Sequence, residues 1–209
     1  MGFAVLPVTV VNGTRTVVGF DIRALNEALG INRDAPCDLS AQELLKKFRI
    51  LYEGAKRAVL QIPDDKLDWV TPQKERRGQT LRQLAFHLFD RPAVCMDAAE
   101  TGRYTYNMCH EYEHLASNYR TTREIVEYGE VIMERIESLL TRQPGMTDKV
   151  VETYFGPQTI GKLFNMALAG LALRIKQTYY FQQAIGIEPI RPLGDEDFSG
   201  ILVPNKIFG

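Results

Sequence analysis

The stretch from Thr159 to Gly186, TIGKLFNMALAGLALRIKQTYYFQQAIG, sets the terms for the rest of the chain. It contains no proline, the next being Pro189. Thr159 is a good N-cap, since its hydroxyl can accept from a free amide of the first turn, and Gly186 stands where a left-handed C-terminal cap belongs. This spacing predicts one long helix. Leu163, Met166, Ala167, Gly170, Leu171, Arg174, Gln177 and Thr178 recur every three or four residues and share one face. Most of that face is apolar, so the helix needs partners of similar length to cover it. Arg174 lies on the same face, and a guanidinium there must find an acceptor or reach water.

Three earlier segments supply such partners. Ser40 with Glu43 forms a capping box, and Leu44, Leu45, Phe48, Leu51, Ala55, Ala58 and Val59 mark an amphipathic helix that ends before Pro63. Thr80 caps a second, with Leu81, Leu84, Ala85 and Leu88 as its stripe; Pro92 should kink it or begin a new turn. Thr121 or Thr122, with Glu124 nearby, starts a third through Ile125, Tyr128, Ile132, Ile136 and Leu140. The polar, turn-rich stretches between them, including 142–158 and the Tyr/Asn-rich connection before Tyr119, read as loops. The pattern predicts a mainly α chain with a four-helix bundle over residues 40–187. The Pro/Gly-rich segment 188–209 reads as an extended tail packing on the bundle.

Residues 1–31 form a separate small unit. AVLPVTVV and TRTVVGF are β-rich, Asn12-Gly13 between them is a hairpin turn, and Asp21 opens a short helix closed by Gly30. A ββα unit of this size must pack on something else, and a homodimer partner is one expectation. Residues 31–39 read as a linker.

The balance of 25 Lys plus Arg against 26 Asp plus Glu gives a net charge of −1, which argues against nucleic acid as a partner. The basic cluster Lys74, Arg76 and Arg77, with Arg82 nearby, fits a solvated loop. Three cysteines, Cys37, Cys95 and Cys109, without CxxC spacing argue against a disulfide framework or a dithiol site. No leader pattern or membrane-spanning run is evident, so the expectation is a cytoplasmic protein with no membrane partner.

Four features together resemble the DinB/YfiT-like bundle family: IPDDKLDW after the first bundle helix, TLRQLAFHLFD on the second, the slot before Gln177, and the GI-x-P ending of the last. The N-terminal unit resembles the C-terminal half of a glutaredoxin through Leu6-Pro7-Val8, the Asn-Gly hairpin and Gly19-Phe20-Asp21. The resemblance is closest to a subgroup in which a glutaredoxin-like domain, here truncated, precedes the bundle and a GILVP-type tail follows. The family implies metal-dependent thiol S-transferases and related small-molecule enzymes. Its metal triad is one histidine on the second helix and two, four residues apart, on the last. His87 stands at the first position, but Gly170 and Arg174 occupy the other two, and neither can hold a divalent cation. The half-glutaredoxin lacks its redox cysteine but implies a way of holding glutathione by backbone.

These readings lead to a metal-independent small-molecule site, of the transferase or lyase kind, for an anionic or thiol-linked substrate. His87 would be acid/base or hydrogen-bonding group, or else a satisfied core histidine. Arg174 would clamp an anion over the space left by Gly170, or else pair internally with Glu43 or Glu134. Gln177 would be a polar support, and Tyr106 and Tyr179 would stack on the ligand or fill the core. No cofactor is expected beyond a thiol cosubstrate such as glutathione. Two alternatives remain. One is a non-catalytic binding or dimerisation protein. The other is a zinc or nickel enzyme with a relocated site at His87, His110 and His114, since HEYEH at 110–114 spells the zincin HExxH.

Overall fold

A computed structural model describes residues 8–18, 22–31, 38–72, 78–203 and 207. Leu6, Pro7, Gly19, Phe20, Asp21, Cys37, Lys74, Arg76 and Arg77 lie outside the described residues. The chain is mainly helical with a small sheet.

At the N-terminus, β1 (Val8–Val11) and β2 (Arg15–Val18) pair antiparallel, Thr9 facing Val17 and Val11 facing Arg15. Asn12 and Gly13, with φ of 51° and 70°, are the left-handed central pair of a β-turn closed by the Thr14 amide on the Val11 carbonyl at 3.2 Å. Helix α1 (Ile22–Leu29) follows, and Gly30 closes it at φ 64°.

The bundle begins at α2 (Ala41–Leu60). Its Ser40–Glu43 capping box is formed in both directions, and Leu44, Phe48, Leu51, Tyr52, Ala55, Ala58 and Val59 are buried along one stripe. Each large apolar side chain so buried contributes about 1.5–3 kcal/mol. The second helical segment is broken in two. Helix α3 (Leu81–Phe86), capped by Thr80 and Gln83, ends in a turn at residues 87–89, and α4 (Asp90–Thr101) resumes. Proline explains the break. A continuous helix would need an N–H at Pro92 to reach the Leu88 carbonyl, and the ring would clash there. In α4, Pro92 instead occupies the first turn, where amides have no helical acceptor. The turn tightens through Leu88 N–H to Ala85 O (3.3 Å) and Phe89 N–H to Phe86 O (3.0 Å).

Helix α5 (Tyr106–Leu115) occupies the connection expected to be a loop. Thr105 caps it by accepting from the Met108 amide at 3.2 Å. Helix α6 (Thr122–Arg142), with its Thr121–Glu124 capping box, buries Ile125, Ile132, Ile136 and Leu140. Residues 142–158, also expected to be loop, contain a 3-10 turn (Pro144–Asp148) and strand β4 (Val150–Thr153). β4 pairs in parallel with β3 (Arg103–Tyr104) and antiparallel with β5 (Gln158–Thr159). Helix α7 (Ile160–Ala184) runs from its Thr159 cap to Gly186 at φ 82°. Helices α2 and α4 each pack on both α6 and α7, giving a bundle-like core. Among the described residues no helix is long and apolar enough to cross a membrane.

The tail is held by specific contacts. Leu193 sits against Gly54, where an added Cβ would come within 2.4 Å of it. The Ile190 amide donates to Gln61 Oε1 at 2.8 Å. In the short helix α8 (Asp195–Phe198), Phe198 is buried under the Lys176 ammonium, 4.7 Å from its ring.

Candidate functional site

His87 lies in the turn between α3 and α4, and Asp90 is the first residue of α4. The break lets the two side chains meet: His87 Nδ1 and Asp90 Oδ2 are 2.6 Å apart. Both are deep, at 5% and 0% exposed. A bare carboxylate at that depth would be costly. Asp90 is offset by the imidazole, by Arg91 Nε at 3.8 Å from its other oxygen, and by the positive end of α4. A carboxylate partner accepts from an Nδ1–H, which leaves Nε2 as the ring nitrogen outside the pair.

Aromatic and phenolic groups close around this pair. Phe86 stacks on Tyr128 with centroids 4.9 Å apart, and Tyr52 packs on Phe89 at 5.3 Å. Gly129 lets α6 approach the break, since a Cβ there would lie 2.7 Å from the Phe89 ring. Burial, and then neighbouring negative charge including Asp90, raises the Tyr52 and Tyr128 hydroxyls well above the usual phenol range. Both stay protonated donors at any physiological pH. Cys95 and Cys109 are free thiols, both buried. Burial raises Cys95, with Cys109 adding to the shift, so Cys95 is a poor nucleophile.

On α7, Arg174 folds back over Gly170: a Cβ at Gly170 would stand 3.0 Å from Arg174 Nη1. Side chains of a helix lean toward its N-terminus, so glycine one turn earlier clears the path. The α3–α4 rod and α7 run antiparallel. At one end Leu81 donates to Trp69 O, and the Trp69 ring packs on Phe181. At the other, Lys149 bonds to the Ala99 carbonyl and accepts from the Ile160 amide. His87 is six residues on from Leu81, and Arg174 is seven back from Phe181. The two therefore lie at a similar level along the bundle.

The other residues singled out from the sequence make contacts of their own. Gln177 Nε2 donates to the Ile207 carbonyl at 2.8 Å, and Tyr179 Oη accepts from the Leu193 amide at 3.1 Å, so both hold the tail. Tyr106 is 57% exposed, edge-on to His110 (4.2 Å) and Tyr154 (5.7 Å). HEYEH lies on α5, not in a loop. His114 is exposed, and among the described side chains of that helix Cys109 is the most buried. Among the described residues no three His, Cys, Asp or Glu side chains form a group that could hold a metal ion. Asp90 was not foreseen as a site residue. Its signal was its place three residues after His87 and two before a helix-breaking proline.

No family model, no curated protein and no solved structure matches the chain.

Proposed function

We propose that this is a DinB-like small-molecule-binding protein whose bundle carries a metal-independent acid–base site, of the transferase or lyase kind, for an anionic or thiol-linked substrate. The observation that supports it most is the buried His87–Asp90 pair at 2.6 Å. A carboxylate on one ring nitrogen fixes the imidazole's orientation, so that the opposite nitrogen is held in place to take up or return a proton. Arg174, at a similar level on α7, would grip the anionic group of the same ligand bidentately.

The test is a thermal-melt screen of glutathione, S-alkyl glutathiones and simple dicarboxylates. The expected outcome is a rise in Tm for at least one of them, lost in Arg174→Met. His87→Gln should retain binding but lose turnover. A wild-type melt unmoved by every such anion would overturn the proposal.

A further inference from the structure

Between the 3-10 turn after α5, the start of α3 and the approach to α6 lies an open cavity of about 480 Å³. Its lining includes Asp68, Arg82, Gln83, His114, Ser117 and Arg120, and none of the residues assigned above to the His87 site. The volume falls within the range of small-ligand sites.

The donors here are organised. Arg82 uses Nε and Nη2 on Asp68 Oδ1, at 3.2 and 3.0 Å, and Nη1 on the Tyr119 carbonyl. Three of its five N–H groups are thereby engaged and the guanidinium plane is fixed, which leaves two N–H groups in a set direction. Arg120 is exposed, and its charge lies beside the Glu124 carboxylate. The Glu124 carboxylate beside it accepts from the Arg120 and Thr121 amides, as the cap of α6. Two arginines therefore line the cavity, one fixed on Asp68 and the other beside Glu124.

We infer that this cavity is a binding site for a small phosphorylated molecule, with the fixed Arg82 fork and the exposed Arg120 as its two grips. A phosphate offers three acceptor oxygens to such a pair, and bonds from guanidinium N–H groups to an anionic oxygen are stronger than neutral ones.

The probe is inorganic phosphate, titrated into the full chain against chloride at equal ionic strength and followed by backbone amide NMR. Phosphate should shift the amides of residues 80–83 and 114–120 saturably, and chloride should not. Arg120→Ala should weaken the binding roughly tenfold or more. Arg120→Lys should recover part of it, since a point charge replaces the fork. His87→Gln should leave it unchanged, which separates this site from the acid–base site. Equal shifts with chloride, or phosphate binding undiminished in Arg120→Ala, would overturn the inference. Arg82 is a poorer first variant because its bonds to Asp68 and Tyr119 also hold the fold together.

Discussion

His87 and His114 sit in opposite surroundings. His110 and His114 belong to a sequence that spells a metalloprotease signature, yet His114 is exposed, and the helix turns Cys109 inward. His87 belongs to no spelled signature, yet it is buried against a carboxylate at a place where the backbone was forced to break. The difference is one of solvation. An imidazole in water exchanges protons with solvent and gains little from its neighbours. An imidazole held by a buried carboxylate has its tautomer and orientation set for it. The buried His87–Asp90 pair comes from Pro92 and the chain break, not from the spacing of the histidines.

The sharpest way to break this contrast is Asp90→Ala. It leaves His87 Nδ1 buried without its acceptor and should cost about 3 kcal/mol of unfolding free energy. Urea denaturation measures this, and a cycle with His87→Ala should return a coupling above about 1 kcal/mol. A loss no larger than for a surface substitution would mean that the pair is not an energetic unit. Gly129→Ala probes the same break from α6. The new methyl would meet the Phe89 ring, and overpacking should outweigh the ~1 kcal/mol that alanine gains in a helix, for a net loss of about 1–2 kcal/mol. Gly145→Ala, with nothing within 4 Å of the added atom, is the control and should change stability by less than about 0.5 kcal/mol. Tyr179→Phe removes the acceptor for the Leu193 amide. It should cost about 1 kcal/mol and speed proteolytic cleavage after residue 188, read by mass spectrometry.

Much of the fold was legible because its helices announce their ends. Ser40 with Glu43, Thr80, Thr121 with Glu124, Thr159 and Gly186 all cap where the sequence places them. The stripes from Leu44 to Val59 and from Ile125 to Leu140 bury as their spacing requires. The nearness of Arg174 to Gly170 follows from the same local spacing, since both lie within one helix. What was not legible depends on contacts distant in sequence. Strands β3 and β5 are two residues long and β4 four, too short for an alternation to register, and the β3–β4 pairing joins segments some fifty residues apart. Helix α5 was hidden by a polar composition that suits an exposed amphipathic helix as well as it suits a loop. Gln177 and Tyr179 read as ligand-facing because nothing local reveals that the tail returns to accept from one and donate to the other. Asp90 has its role through a turn geometry, which residue spacing on a continuous helix cannot convey.

The gentlest test concerns the spelled motif itself. His110→Ala and His114→Ala, singly, should each change stability by less than about 0.5 kcal/mol, because one ring is exposed and the other packs on a largely exposed Tyr106. The double variant should melt like the wild type with and without added zinc. A zinc-dependent rise in Tm of the wild type that disappears in the double variant would reverse the contrast, because binding to the folded state alone stabilises by mass action. It would mean that α5 acquires a third ligand from outside the described residues, and that spelling had outweighed environment after all.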